Sequence, residues 1–316
     1  MSKKILLSGV KPTGRPHIGN YFGAMKQFAD IQLLGQYDCH FFIADYHGLN
    51  FIQNAEEMRN NIRDLALDYL AIGLDPKKVV IFKQSDVSAH TELAWIFDAI
   101  TTMPYLMRAH AFKDAEAKDK EISVGTFNYP MLMAADILLY DADVVPVGQD
   151  QKQHIEYARD TAQKFNNIFS ETFKLPEPLI LENVAIVPGI DGRKMSKSYN
   201  NTIPLFATRE EIKKAVMGIV TDSGGDVPTN VYNIHKLIKP ESELKSLYDA
   251  NKGKYKILKE ALVEDLDAFI KPLREKREEI AKNTELVAQV LADGARRANE
   301  IAQAKLLTVK KNIGVL

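Results

Sequence analysis

Short apolar runs that break off into polar or glycine-containing sequence recur through the first half of the chain: Lys4 to Gly9 (KILLSG), His40 to Asp45 (HFFIAD), Val79 to Lys83 (VVIFK) and Val144 to Gly148 (VVPVG). Runs of this kind, without polar alternation, read as strands buried on both faces of a parallel sheet. The stretches between them, such as Asn20 to Leu34 and Ala55 to Ile72, carry helical spacing. The resulting β-α-β alternation predicts an α/β, Rossmann-like doubly wound parallel sheet, in which ligands gather at the C-terminal ends of the strands. From about Pro204 strand-like runs stop. Thr208 and Glu211 have the spacing of a capping box, and Ile212, Ala215, Val216, Ile219 and Val220 follow on one helical face. Further helices are predicted over Ser242–Ala250, Lys254–Lys282 with Pro272 as a kink point, and Thr284–Val309. Two domains are expected, an α/β domain over 1–203 and an all-α domain over 204–316.

Composition narrows this picture without changing it. The 316 residues are 46% apolar and 26% charged, as in an ordinary folded protein, and no low-complexity tract or short repeat stands out. The longest apolar runs, such as Val79 to Phe82, are too short to span a bilayer, and Lys3-Lys4 lead straight into a strand-like run without a signal-peptide core. A cytoplasmic protein with no membrane association is the expectation. Cys39 is the single cysteine, which rules out a disulfide within the chain and a cysteine-built zinc or iron–sulfur site. The formal charge of −1 leaves room for a local basic patch that binds phosphates.

Two segments carry candidate phosphate chemistry. Gly9 to Asn20 (GVKPTGRPHIGN) is a glycine-punctuated turn that opens into a helix, and a helix N-terminus offers free N–H donors to an anion. Gly19, lacking a Cβ, would let a base or ribose approach the backbone, and His17 and Asn20 are able to hydrogen-bond phosphate oxygens. A plain strand-to-helix turn explains the glycines equally well. Asp191 to Asn201 (DGRKMSKSYNN) packs three cations, two serine hydroxyls and a turn-forming Asp-Gly together, a set suited to polyphosphate, although a solvated charged loop also has this composition.

Tyr129 to Tyr140 (YPMLMAADILLY) is an apolar helix with one carboxylate at its centre, a costly arrangement unless the charge has a partner. Tyr129, Met133, Asp136 and Tyr140 recur at spacings of four, three and four and so share a face. Aromatic, thioether and carboxylate groups together fit a flat aromatic ligand with one N–H donor. A structural partner for Asp136, such as an arginine or a helix cap, is the competing explanation.

His17-Ile18-Gly19-Asn20 and Lys194-Met195-Ser196-Lys197-Ser198 resemble the paired signatures of class I aminoacyl-tRNA synthetases, the second at all five positions. The first departs at Asn20, where many relatives carry histidine, a variation compatible with the tryptophan and tyrosine branch. MAADILLY followed by VPVGQDQKQH resembles the tryptophan side of that branch, where the aspartate matching Asp136 reads the indole N–H. The resemblance implies an ATP-dependent ligase that converts L-tryptophan to its adenylate with release of pyrophosphate, then passes it to the 3′ end of tRNA(Trp). It implies catalytic roles for His17, Lys194, Ser196 and Lys197. ATP contacts would come from Lys11, Pro12, Thr13, Gly19, Asn20, Gly148, Gln149, Asp150, Ile186 and Lys194 to Ser198, including Met195. Tryptophan would be held by Asp136, Met133, Tyr129, Gln151, His47, Val145 and Val147. It further implies Mg²⁺ held mainly by the ATP phosphates, no protein metal site, a homodimer, and a helical domain that reads the anticodon.

Three alternatives stay open on the residues: a tyrosine-specific relative, a nucleotidyltransferase that never meets tRNA, and a non-catalytic paralogue that senses tryptophan or binds RNA. The charge-dense stretch Lys113 to Glu121 is expected to be a solvated mobile segment, and Arg296, Arg297, Lys305, Lys310 and Lys311 a solvated helix face.

Overall fold

The computed structural model describes residues 3–117, 121–148, 152–180, 187–221 and 225–316. Within them, strands β1 (Lys4–Val10), β2 (Tyr37–Ile43), β3 (Val80–Lys83), β4 (Val144–Val147) and β5 (Glu177–Ile180) pair in parallel in the order β3-β2-β1-β4-β5. The first four match the apolar runs. β5 was not foreseen: EPLI opens on an exposed glutamate and has no fully buried residue, so it lacks the apolar signature of the others. Chain order reverses between β1 and β4, the crevice where open parallel sheets take their ligands.

Helices α1 (Ile18–Asn20), α2 (Lys26–Leu34), α3 (Asp45–Gly48), α4 (Ala55–Ala71), α5 (Ala89–Ile100), α6 (Met103–Leu106), α7 (His110–Ala117), α8 (Val124–Leu138) and α9 (Lys152–Ile168) interleave with the strands. Helices α10 (Arg209–Met217), α11 (Thr229–His235), α12 (Glu241–Ala250), α13 (Tyr255–Ala281) and α14 (Thr284–Asn312) follow. The capping box at Thr208 and Glu211 starts α10 as predicted. Pro272 lies inside α13, which continues past it as one helix. The expected single helix from Asn20 to Leu34 is instead interrupted by a π turn over Tyr21–Met25, with Tyr21 and Phe22 buried and facing Phe269 of α13 at 5.7 and 5.5 Å between ring centroids. Lys113 to Ala117, expected as part of a solvated mobile segment, belongs to α7.

Alternation along the strands divides the core in two, because successive side chains leave opposite faces of a sheet. Leu6, Phe41, Ile43 and Ile81 pack with Phe28 and Ile31 of α2, Leu65 and Tyr69 of α4, Ile212 and Val216 of α10, and Leu262, Leu266 and Ile270 of α13. On the other face Leu7, Phe42, Val80 and Phe82 pack with α5, α8 and α9, joined by Ala298, Ala302, Leu306 and Val309 of α14.

Helix α14 runs along β3, the edge strand, and shields it from pairing with another chain. The approach is so close that a Cβ on Gly294 would stand 1.8 Å from the Ile81 carbonyl oxygen. Three of the five cations expected on a solvated face tie α14 to other elements. Arg297 donates to the carbonyls of Pro76 and Val79 at 3.3 and 3.2 Å, Lys305 pairs with Asp141 at 2.7 Å, and Lys310 with Glu92 at 2.5 Å. Arg296 pairs within its own helix, with Asp293 and Glu300.

Candidate active site

Asp136 sits on α8, 1% exposed, and the ends of β2 and β3 deliver its partners. His47, on α3 just after β2, donates from Nε2 to Asp136 Oδ2 at 2.8 Å. Gln84, directly after β3, and His90, on α5, donate to Oδ1, each at 2.7 Å. Asp45 ties the two loops by accepting from the N–H and hydroxyl of Ser85. Burial alone would raise the pKa of Asp136, but the hydrogen bonds and positive character of His47 and His90 outweigh it and hold the group at about 2. The carboxylate is therefore ionised and accepts only, which obliges each partner atom to carry a proton.

A cavity of about 370 Å³ opens above Asp136 at the β1/β4 crevice. Phe42, Tyr129, Met133, Ile137, Val145 and Val147 give it apolar walls; Ser8, Lys11, His47, Asp136 and His154 are its polar points. Tyr129 is fixed by its hydroxyl, 2.8 Å from His154 Nε2. Gly9 borders the cavity because Phe42 leaves no room beside it: a Cβ there would meet the ring at 2.4 Å.

The second cluster forms where β1 turns into α1. His17 N-caps α1 in a reciprocal box, its Nδ1 accepting from the Asn20 N–H at 3.2 Å while Asn20 Oδ1 accepts from the His17 N–H at 3.1 Å. Burial, and then the charge of Lys197, lower the His17 pKa to about 4. The ring is neutral at pH 7, and with Nδ1 accepting, Nε2 carries the proton and serves as an uncharged donor.

Lys197 donates from Nζ to the carbonyls of Thr13 and Gly14 at 2.9 and 2.8 Å, joining the second signature to the first. Burial lowers its pKa. The loop around it is folded rather than loose. Asn201, 1% exposed, accepts the Ser196 N–H at 2.7 Å and donates to Asp191 and to the Lys194 carbonyl. Ser196 and Ser198 share a hydroxyl hydrogen bond at 2.9 Å. Ile18 N–H reaches the Ile203 carbonyl at 3.0 Å, clamping the strand-to-helix turn against the end of the loop.

The geometry is that of two clusters on one crevice, an aromatic cavity with a buried anion and a cation–hydroxyl loop laid over a helix start. Residues 2–290 match the family model for class I tRNA synthetases of the tryptophan and tyrosine (W and Y) type. The chain belongs to this family. Among its relatives is a tryptophan–tRNA ligase of Fusobacterium nucleatum, 49% identical, with 98% of each chain covered. Tryptophanyl-tRNA synthetase from Campylobacter jejuni, solved with ADP and tryptophan, superposes with a TM-score of 0.91 at 43% identity, covering 98% of this chain and 99% of that one. A tyrosyl-tRNA synthetase from Archaeoglobus fulgidus, solved with L-tyrosine, shares the fold at a TM-score of 0.68 and 20% identity, covering 87% and 90%.

Within this synthetase fold, Lys11, His47, Tyr129, Met133, Asp136, Val145, Val147 and Gly148 all line the cavity. His17, Gly19, Asn20 and the Lys194–Ser198 loop gather around the α1 start, beside Thr13. Tyr140 does not line the cavity; its hydroxyl turns to His90 Nε2 at 2.8 Å. The space beside Gly19 is filled by protein, not left for a base or ribose, since a Cβ there would meet His17 Nδ1 at 2.9 Å and Met195 Cβ at 3.3 Å. The Met195 side chain is buried in the core. Gln149, Asp150, Gln151 and Ile186 lie outside the described residues. Sequence reasoning missed Gln84, His90 and Asn201. Gln84 had one available signal, a polar residue at the C-terminal end of an apolar run; Asn201 closes the Asp191–Asn201 stretch already singled out, though without a role; His90 had none.

Proposed function

We infer that this chain is an ATP-dependent tryptophan–tRNA ligase. The observation that carries the amino-acid assignment is Asp136, an ionised carboxylate facing the aromatic and aliphatic walls of the cavity. It accepts one hydrogen bond on Oδ2 and has room there for the N–H of an indole ring lying against Met133 and Tyr129. A tyrosine hydroxyl would also satisfy a carboxylate, but the 49% identical tryptophan–tRNA ligase favours indole.

The tryptophan carboxylate attacks the α-phosphorus of ATP, forming the mixed anhydride as the bond to the bridging oxygen breaks and pyrophosphate leaves. A ribose hydroxyl at the tRNA 3′ end then takes the aminoacyl group. Both nucleophiles come from substrates, so the protein contributes positioning and charge stabilisation. We assign the phosphates to the turn 11–20 and the loop 194–198. Lys194, Lys197, Ser196 and the neutral Nε2–H of His17 stabilise the charge that builds on the α-phosphate and pyrophosphate. The ribose is assigned to Gly148 with Asp150, further ATP contacts to Gln149 and Ile186, and the tryptophan amino group to Tyr129 with Gln151.

Mg²⁺ belongs to this reading as an ion held by ATP. Cations and hydroxyls make up the assigned phosphate cluster, and the carboxylate that lines the cavity among the described residues, Asp136, already accepts from three donors. Residues 204–316 are assigned to the tRNA anticodon. A second copy of the chain would cover Trp95 of α5, Met103 of α6 and Val124 at the start of α8, which are 74%, 67% and 80% exposed. No helix among the described residues is long and apolar enough to cross a membrane; the cytoplasm is part of the same proposed reading.

ATP–pyrophosphate exchange run with tryptophan, tyrosine and phenylalanine side by side tests the assignment. Exchange should depend on tryptophan; dependence on tyrosine would overturn the amino-acid assignment, and no exchange with any of them would remove the enzyme.

A further inference from the structure

Two buried side chains touch Asp136 from outside the cavity. Gln84 donates from Nε2 to Oδ1 at 2.7 Å while its Oε1 accepts the Tyr46 backbone N–H at 3.1 Å, so its amide has one possible orientation. His90 donates from Nδ1 to the same oxygen at 2.7 Å, and its Nε2 lies 2.8 Å from the Tyr140 hydroxyl. Both residues are fully buried, and neither lines the cavity. A carboxylate oxygen has two lone-pair sites, and on Oδ1 both are taken by donors from different elements, the turn after β3 and helix α5. Rotation of the carboxylate would break two buried, charge-assisted hydrogen bonds at once. Oδ2 has a single donor, His47, which does line the cavity.

We propose that Gln84 and His90 are positioning residues for amino-acid selection: by saturating Oδ1 they confine the free acceptor capacity of Asp136 to one site on Oδ2, aimed into the cavity. That site accepts one ring N–H at a fixed place and penalises a ring without one. The proposal rests on the reading of Asp136 as the tryptophan reader and adds two residues that make no contact with substrate.

The test compares tryptophan with 3-benzothienylalanine, which has sulfur in place of the indole N–H, as the ratio of kcat/KM in ATP–pyrophosphate exchange. The wild-type ratio should be at least about a hundredfold, because a buried acceptor left unpaired is strongly penalised. Gln84→Met and His90→Leu should each lower that ratio by about tenfold or more through the tryptophan KM, with the ATP KM unchanged. His90→Asn, which returns an amide N–H near the Nδ1 position, should restore most of the ratio. A purely structural role would lower both substrates together. The proposal is overturned if the ratio in Gln84→Met stays at the wild-type value, or if His90→Asn selects as poorly as His90→Leu. Should His90→Leu not fold, Gln84→Met decides alone. Absence of tryptophan-dependent exchange in the wild type would instead remove the parent assignment.

Discussion

Around Asp136 the strong contacts are hydrogen bonds between buried side chains, with three donors converging on one carboxylate. Around Lys197 they run through the backbone: its ammonium rests on two carbonyls of the 11–17 turn, and Asn201 fastens the loop by main-chain N–H and C=O groups. The cavity beside Asp136 is thus prebuilt, with its charge already paired. The Lys194–Ser198 loop is the more open of the two, with Lys194 and Ser198 exposed, and under the assignment proposed above the carbonyl partners of Lys197 give way to phosphate oxygens of greater charge. A site that must discriminate between rings gains from rigidity; one that must follow charge onto a leaving group gains from a cation able to change partners.

The largest expected separation of the two regions comes from Lys197→Ala. Adenylate formation should slow by about 10²–10³-fold, the range for removal of one charge-stabilising donor, while tryptophan affinity measured by equilibrium dialysis stays near wild type. Equal losses would mean the two regions are not independent. Asp136→Asn should do the reverse, lowering the tryptophan-to-phenylalanine ratio of kcat/KM by about tenfold to a hundredfold with a smaller change in kcat at saturating tryptophan. A variant that keeps the wild-type ratio refutes Asp136 as the reader.

The smallest effect is one of pH on stability. His17 has its folded pKa lowered from 6.5 to about 4, so the unfolded chain takes up a proton first as pH falls. Its stabilising contribution is complete above pH 6.5 and is lost progressively down to about pH 4, on the order of 1–3 kcal/mol. Asp136, lowered to about 2 from 3.8, contributes stability that is complete above pH 3.8 and lost only below it. Urea unfolding at pH 7 and pH 4.5 should therefore show a drop that His17→Asn, which keeps an N-cap acceptor, reduces; an unchanged drop would assign the acid sensitivity elsewhere.

Local rules made much of the fold legible. Apolar runs located β1 to β4, the Thr208–Glu211 spacing located the start of α10, and the i, i+3, i+4 pattern placed Tyr129, Met133 and Asp136 on a common face that does line the cavity. What escaped depends on contacts between residues distant in the chain. His90 and Gln84 stand 46 and 52 positions from Asp136, and neither lies in a pattern that names its partner. Arg297 and Lys305 have the spacing of a solvated face and are recognisable as anchors only once β3 and Asp141 are beside them. The π turn at Tyr21–Met25 accompanies the packing of Tyr21 and Phe22 on Phe269, a contact of the same distant kind.

A crystal structure of the chain with tryptophan and a non-hydrolysable ATP analogue measures the central claim directly. The indole nitrogen should lie within about 2.7–3.2 Å of Asp136 Oδ2, with Gln84 and His90 still on Oδ1 and Lys197 Nζ moved from the Thr13 and Gly14 carbonyls to a phosphate oxygen. An indole nitrogen directed away from Asp136, or a carboxylate turned to present Oδ1, would contradict it.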